Sequence, residues 1–164
     1  MDDQPRDSNL NTNDDDGDEY ANLFKELIEF RNNHQSNFIY AHVNINSYRH
    51  KFPYVNDILK KNCFDYFAIS ETKLDESFPS AQFSIEGYQI FRQDFTSTSR
   101  GILVYIRSDL AHRRLTNIEY NADGIDSVCL EITIGKSKTV FICVYKHSKV
   151  KNHFFRHFST YIYT

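Results

Sequence analysis

Two polar side chains follow strand-like segments of the chain, and their types suit a metal site. The alternating segment 37–46 reaches Asn44 near its end, and the apolar segment 64–70 is followed directly by Glu71. If a helix joins the two strands, their ends open on the same edge of a sheet, where ligands of α/β sheets bind. An amide and a carboxylate there could hold Mg²⁺, which takes one or two protein carboxylates together with waters. Taken alone, Glu71 is a weak signal that fits a solvated turn acid better than a metal ligand, and His42 on the first strand is expected to be structural.

A short amphipathic helix is predicted between these two strands. Pro53 suits a first helical turn, and Val55, Ile58 and Leu59 give the segment an apolar side as far as Asn62. A strand, a helix and a second strand form a βαβ-like unit, so this pattern predicts that the two strands are parallel.

The remainder of the chain is mostly strand-like. A loop-rich crossing at 72–86 is followed by apolar or alternating segments, and residues 135–138 (GKSK) are typical of a hairpin turn. Single crossings followed by hairpins predict an α/β layered sandwich with a mixed sheet. The predicted strands are 88–92, 102–107, 125–134 and 139–145, and a helix is predicted over 149–163.

The N-terminal segment differs from the rest in composition and charge. Residues 1–19 are almost all Asp, Asn, Ser, Gln, Gly and Pro, which predicts a disordered acidic leader. Residues 1–20 hold eight acids and one base, a charge of −7 within a total of −3, so the rest carries +4. A mildly basic remainder is compatible with a polyanionic partner. An amphipathic helix is predicted over 20–34, and we expect it to pack on the domain rather than on a partner. Its apolar stripe is Leu23, Phe24, Leu27, Ile28 and Phe30.

Composition excludes several classes of protein. Mean hydropathy is −0.57, and no apolar run approaches the roughly 18 residues of a membrane span. The acidic N-terminus has no apolar core of a signal peptide, so we expect an intracellular protein that is not secreted. The chain has three cysteines, an odd number, and no two of them are closely spaced in the sequence; they are Cys63, Cys129 and Cys143. This predicts buried free thiols rather than disulfides or zinc ligands.

Four elements, in order, resemble the endonuclease/exonuclease/phosphatase family, most closely the apurinic-type endonuclease domain of non-LTR retrotransposons. The resemblance covers residues 38–147 and implies an α/β (α+β) fold, part of a four-layer α/β/β/α sandwich with a mixed sheet. Residues 37–164 would then be the N-terminal half of such a domain. The matching elements are residues 42–48 (HVNINSY), 64–75 (FDYFAISETKLD), 87–94 with 101–106 (GYQIFRQD, GILVYI) and 143–147 (CVYKH).

The resemblance also implies roles for individual residues. Glu71 matches the residue that ligates a divalent ion, Mg²⁺ or Mn²⁺, and Asn44 matches the amide that orients the metal and phosphate network. Tyr145 matches a tyrosine that contacts the scissile phosphate, with an ordinary strand aromatic as the alternative. Arg92 is a candidate substrate contact or a structural ion pair. Lys73 is a candidate substrate contact or a solvated lysine.

The motifs of the family's second half do not occur in the sequence. Neither Gly-Asp-Phe-Asn nor Ser-Asp-His is present, and the latter supplies the Asp–His pair that activates water. Smaller departures are Phe95 in place of Arg, Arg100 in place of the first Gly of a Gly-Gly pair, and His147 with Ser148 in place of Pro-Pro. We therefore expect a truncated domain that is catalytically incomplete, with an uncovered sheet face that lowers its stability.

The resulting expectation is a DNA endonuclease fragment whose intact relatives nick nuclear target DNA for reverse transcription, with a possible downstream reverse transcriptase domain. Two alternatives remain open. One is another phosphoesterase of the same family, and the other is a non-catalytic interaction module.

Overall fold

Two β-sheets lie face to face in the computed structural model, which describes residues 15–147. The first sheet has the strand order β1-β2-β4-β3 and the second has the order β5-β6-β7. The first contains β1 (Tyr40–Asn44), β2 (Tyr66–Ser70), β3 (Tyr88–Gln93) and β4 (Ile102–Arg107), and the second contains β5 (His112–Arg114), β6 (Ile125–Ile134) and β7 (Ser137–Lys146). The helices are α1 (Asp15–Asn33) and α2 (Phe52–Leu59), with 3₁₀ turns at Arg49–Lys51, Ser80–Phe83 and Thr116–Ile118.

The predicted βαβ unit is present in the first sheet. Strands β1 and β2 pair in parallel, whereas β4 pairs antiparallel with both β2 and β3, so the sheet is mixed as expected. Helix α2 makes the crossing between the parallel strands and starts close to Pro53, as the sequence indicated. It ends at Leu59, three residues before the expected end at Asn62.

The core has two parts because successive side chains of a strand point to opposite faces of a sheet. Phe67 and Ile69 of β2 pack in the part that faces α2, whereas Tyr66 and Ala68 pack in the part between the two sheets. All five residues of β2 are buried, as expected for a strand covered on both faces. The described residues therefore form helix, sheet and sheet layers, which agree with the predicted α/β sandwich.

The second sheet contains the predicted hairpin. Strands β6 and β7 pair antiparallel from Ile134 and Ser137 onwards, which leaves Gly135 and Lys136 as the turn. Gly135 has a φ of +61°, a conformation that glycine adopts without penalty. Strand β5 is not predicted by the sequence pattern, since it has only three residues and all of them are His or Arg.

Helix α1 begins at Asp15, five residues before the expected start, so the end of the segment predicted to be disordered is helical. Acidic residue types are favourable near a helix N-terminus because they complement the helix dipole. The apolar stripe is largely exposed, at 40 % for Leu23 and Ile28 and 49 % for Phe30. Arg31 anchors the end of the helix to Asp65. The predictions for residues 1–14 and for a helix over 149–163 lie outside the described residues.

One side of the sandwich is open between the edge strands β1 and β7. A groove of about 280 Å³ runs there between the two sheets, with Tyr40 and His42 on one wall and Phe141 and Cys143 on the other. Tyr40 is 65 % exposed. The uncovered sheet face and the low stability expected of a partial domain stay predictions.

The three cysteines are free and buried, as expected, and burial raises the pKa of the Cys143 thiol to about 12 and that of Cys129 to about 11. None of the helices in residues 15–147 has the length and apolarity needed to cross a bilayer.

Candidate functional site

The edge of the first sheet at which β1 and β2 end carries a cluster of three side chains, those of Asn44, Glu71 and Tyr145. Asn44 lies opposite Ser70 in the parallel pairing, so Glu71 follows directly at the same edge. The Tyr145 hydroxyl reaches across from the second sheet and donates a hydrogen bond of 3.0 Å to Glu71 Oε1. The two strand ends singled out from the sequence and the tyrosine implied by the resemblance therefore form one cluster.

The loop that carries Glu71 is fixed on one side by the loop after β1. The Ser47 amide donates to the Glu71 carbonyl at 2.8 Å, and the Tyr48 amide donates to the Thr72 carbonyl at 2.9 Å. Lys51 Nζ in turn donates to the carbonyl of Ile45. The two backbone bonds continue the β1–β2 ladder beyond the strands and hold the backbone of Glu71 in register with β1.

The same loop is fixed on its other side by the turn before β4. The Thr72 amide donates to the Gly101 carbonyl at 3.3 Å, and the Lys73 amide donates to the Arg100 carbonyl at 2.9 Å. Glu71 thus sits on a short segment that is bonded to both neighbouring loops, so its carboxylate position is determined by three separate parts of the chain.

Left-handed backbone conformations concentrate around this loop. Of the seven non-glycine residues with positive φ in the described part of the chain, five belong to the three loops just described. Each such conformation costs of order 1–3 kcal/mol, and strain of this kind clusters at functional sites. The five residues are Asn46 (φ +45°), Ser47 (+87°), Glu71 (+56°), Lys73 (+52°) and Arg100 (+60°).

The environment of Glu71 favours its ionised form. The side-chain hydrogen bond with Asn44 is the largest influence and lowers the pKa of the carboxyl below its usual 4.5. Partial burial opposes this shift, while Tyr145, Lys73 and His147 add to it. Glu71 is therefore a carboxylate throughout the neutral range and can act as an anionic ligand.

Tyr145 responds in the opposite direction. Burial raises the pKa of its phenol, and the hydrogen bond to Glu71 raises it further. The hydroxyl therefore remains protonated at neutral pH and can donate a hydrogen bond.

The amides and Lys73 form a polar rim around the carboxylate. The backbone N–H of Asn46 donates to Asn44 Oδ1 at 3.3 Å, which orients the Asn44 side chain. Lys73 Nζ donates to Asn46 Oδ1 at 2.6 Å and adds a positive charge beside Glu71. Lys73 therefore lies at the cluster, in a position compatible with the predicted substrate contact.

Arg92 does not join this cluster. A guanidinium has five N–H donors, and those of Arg92 are directed at Asp94, Ser80 and the carbonyls of Asp75 and Phe78, at 2.6–3.3 Å. Its side chain is only 9 % exposed. The geometry favours the structural alternative, in which Arg92 fixes the loop between β2 and β3, over a substrate contact.

Three residues near the cluster were not selected from the sequence. His147 acts electrostatically on Glu71, and Asp126 pairs opposite Tyr145 across the hairpin. Arg100 forms a buried ion pair with Asp126, at 3.4 Å between Nε and Oδ2. Asp126 was not found because the turn predicted at residues 135–138 is two residues longer than the observed turn at Gly135 and Lys136, and only the shorter turn places Asp126 opposite Tyr145.

The set of metal donors at the cluster is small. Among residues 15–147 no group of three or more His, Cys, Asp or Glu side chains is arranged to hold a metal ion. Glu71 supplies one carboxylate and Asn44 one amide oxygen, which fits an ion that keeps most of its waters or takes phosphate oxygens, as Mg²⁺ does.

Gly101 is required for the packing of the Glu71 loop, and this can be tested by replacing it with alanine. Its φ is +95°, and an added Cβ would lie 2.4 Å from Oγ1 of Thr72, which is fully buried. We expect Gly101→Ala to lower the free energy of unfolding by about 2–4 kcal/mol, from backbone strain together with overpacking. Urea denaturation followed by circular dichroism measures this. Gly135→Ala is the matched control, because its added Cβ meets nothing within 4 Å, and about 1–2 kcal/mol is expected there. Equal losses in the two variants would contradict the packing argument.

Comparison with solved structures shows what this fold is similar to. The AP endonuclease from Leishmania major superposes with a TM-score of 0.52 at 14 % identity, over 66 % of this chain and 40 % of that one. An AP endonuclease from Archaeoglobus fulgidus (TM-score 0.43, 22 % identity, 63 % of this chain, 40 % of that one) and a 3′ phosphatase from Neisseria bound to a product DNA hairpin (0.41, 20 %, 62 %, 39 %) are also similar.

The comparison with the Leishmania enzyme shows the fold, since the other two fall below a TM-score of 0.5. The chain has two sheets, one of them mixed, in the arrangement of an AP endonuclease, which confirms the predicted fold class. It spans about 40 % of the length of the solved structures it matches. No protein-family model and no curated protein matches the sequence.

Proposed function

We propose that this chain contributes the metal-binding part of a Mg²⁺- or Mn²⁺-dependent phosphodiester hydrolase that acts on DNA. The observation that carries the proposal is the hydrogen-bonded cluster of Asn44, Glu71 and Tyr145, which joins the two sheets at the edge where ligands of such folds bind. The similarity of the fold to an AP endonuclease supports the reaction class. The order of the sequence elements supports the non-LTR retrotransposon branch.

The residues of the cluster have complementary tasks in this proposal. Glu71 and Asn44 would hold the divalent ion, which supplies Lewis-acid stabilisation of the charge that develops on phosphate oxygens. Tyr145 donates its hydroxyl hydrogen, and in the presence of a phosphate this donor can turn from Glu71 to a non-bridging oxygen. Lys73 adds a positive charge at the rim, which favours an anionic substrate.

The proposal includes catalytic incompleteness of the chain as it stands. General-base catalysis typically contributes a factor of ~10²–10⁴, and the sequence contains no Ser-Asp-His motif to provide the base. Activation of the attacking water would then depend on a segment of the full domain that is not among these 164 residues.

A plasmid-nicking assay tests the proposed function. Supercoiled DNA with Mg²⁺ or Mn²⁺ should be relaxed slowly, at least about 100-fold more slowly than by a complete AP endonuclease at equal concentration, and EDTA or Glu71→Ala should abolish this activity. Lys25→Ala in the exposed part of α1 is the matched control and should leave it unchanged. Nicking that survives both EDTA and Glu71→Ala would contradict the proposed site. Fast nicking that Glu71→Ala abolishes would overturn only the incompleteness.

A non-catalytic interaction module is the second candidate, and one observation favours it. Leu23, Ile28 and Phe30 of α1 are exposed large hydrophobic residues on one helix. Partner binding by this helix would be independent of metal and unaffected by Glu71→Ala, which distinguishes it from the nuclease proposal.

A further inference from the structure

Arg100 is an unusual residue for its position. It is 9 % exposed, and its φ of +60° lies in the left-handed region that favours glycine. Its guanidinium carbon lies 3.3 Å from the centre of the Phe95 ring, and its Nε lies 3.4 Å from Asp126 Oδ2. The side chain is thus held between an aromatic ring and a buried carboxylate.

Asp126 is equally constrained. It is 2 % exposed, and its Oδ2 has no hydrogen-bond partner within the described residues, nor has Arg100 Nε. Burial raises the pKa of its carboxyl and the charge of Arg100 opposes that shift. Replacing a buried ion pair with apolar residues is often neutral or stabilising, so stability alone does not account for a buried pair on a strained backbone.

Both members of the pair are connected to the cluster around Glu71. The Arg100 carbonyl accepts a hydrogen bond from the Lys73 amide, and the Gly101 carbonyl accepts one from the Thr72 amide. These two bonds hold the loop that carries Glu71. Asp126 lies directly opposite Tyr145 in the β6–β7 hairpin. The ion pair therefore links the backbone that carries the candidate metal ligand in one sheet to the strand that carries the tyrosine in the other.

We propose that Arg100 and Asp126 form a positioning pair that fixes Glu71 and Tyr145 relative to each other across the two sheets. The inference rests on the proposed function, because it assigns the pair to the same metal site. Arg100, clamped by Phe95 and Asp126, fixes the carbonyls at positions 100 and 101. Those carbonyls fix the Glu71 loop, while Asp126 anchors the hairpin where Tyr145 leaves it.

The double variant Arg100→Gly/Asp126→Asn tests the pair with little risk to the fold. Glycine accepts the left-handed backbone, and removing both charges leaves no buried charge without a partner. We expect Mn²⁺ affinity to fall about tenfold, the loss typical of removing groups that orient metal ligands. The amides of Thr72 and Lys73 should exchange with solvent about tenfold faster, as the local opening of that loop becomes easier. Isothermal titration with Mn²⁺ and hydrogen exchange by NMR measure these effects.

Two further variants separate positioning from general stability. Arg100→Lys keeps the charge beside Asp126 and should recover part of the Mn²⁺ affinity. The control Arg113→Ala/Glu131→Gln removes the ion pair on β5 and β6, where Arg113 is 66 % exposed, and should change neither measurement. Unchanged Mn²⁺ affinity and unchanged exchange at Thr72 and Lys73 in the Arg100/Asp126 variant would overturn the positioning pair. So would faster exchange spread evenly over the whole chain.

Failure of the proposed function gives a different result. If the unsubstituted chain binds no Mn²⁺, or if Glu71→Gln leaves binding unchanged, the metal site is wrong and the assignment of the pair to it is overturned as well. If Glu71→Gln abolishes binding while the Arg100/Asp126 variant binds normally, the metal site stands and only the pair is overturned.

Discussion

Replacing Glu71 with glutamine is expected to weaken Mn²⁺ binding by on the order of 100-fold or more. The substitution removes the charge of the one carboxylate in the Asn44–Glu71–Tyr145 cluster but keeps the shape of the side chain and an oxygen that can accept from the Tyr145 hydroxyl. Losing an outer group that orients a metal ligand already weakens binding by about 10–100-fold, so losing a ligand charge should do at least as much. Isothermal titration calorimetry of the purified chain with Mn²⁺ measures the change.

The matched control for this prediction is Glu76→Gln. Glu76 is an exposed acid on the same crossing, five residues further along the chain, and its loss should alter Mn²⁺ affinity by less than about twofold, since exposed charges interact weakly through water. Equal effects of the two substitutions would show that net charge, rather than a site, attracts the ion. Thermal melts of both variants should coincide with that of the unsubstituted chain.

The same carboxylate determines how Mn²⁺ binding should depend on pH. Because the folded-state pKa of Glu71 is lowered from 4.5, the ionised form persists below that pH, and affinity should be flat from neutral pH down to about pH 5. It should fall as the pH decreases through the lowered pKa. A loss of affinity centred between pH 6 and 7 would instead point to a histidine as the principal ligand.

Replacing Asp65 with alanine is expected to lower the free energy of unfolding by about 3 kcal/mol. Its buried carboxylate accepts two hydrogen bonds from Arg31, at 2.9 and 3.1 Å, and one from the Ile39 amide at 2.7 Å. Arg107 lies 3.4 Å from the same carboxylate. The substitution leaves the Ile39 amide without an acceptor and removes the counter-charge of Arg31, whereas Arg107 keeps its pair with Asp109. The two arginines keep 19 % and 29 % of their side chains exposed, so water offsets part of the loss and the expected value lies at the low end for a broken buried pair.

Asp109→Ala is the control for Asp65. Asp109 pairs with the same Arg107 at 2.5 Å, but its side chain is 61 % exposed, so we expect a change within about 1 kcal/mol. Urea denaturation of the two variants, followed by circular dichroism, gives the comparison. A loss at Asp109 as large as that at Asp65 would contradict the argument that burial decides the difference.

Asp65→Ala should also increase proteolysis between α1 and β1, because Arg31 of α1 forms its ion pair with Asp65.

The local elements could be predicted because each has a pattern that depends only on nearby residues. The alternating or apolar runs identified all the strands of the first sheet and the β6–β7 hairpin, and Pro53 located α2. Strand β5 was missed because His112, Arg113 and Arg114 give no apolar signal, and they pair with β6 only once that strand is in place. Helix α1 begins earlier than predicted because acidic composition, which suggested disorder, also suits the first turn of a helix.

The sequence by itself determined that Asn44 and Glu71 would lie at the ends of two parallel strands. A short helix between two apolar strands predicts a βαβ unit, and the ends of its strands open on the same edge of the sheet. The sequence also predicted the β6–β7 hairpin, but with the turn at residues 135–138, so the register that places Asp126 opposite Tyr145 was decided by the structure. Only the tertiary structure decided that Tyr145 donates a hydrogen bond to Glu71, 74 residues away. It also decided that Arg92 donates to the loop between β2 and β3 and that Arg100 forms an ion pair with Asp126. A period-two pattern specifies which side of a strand is buried, but the packing of one sheet on another decides which residues of two distant strands meet there.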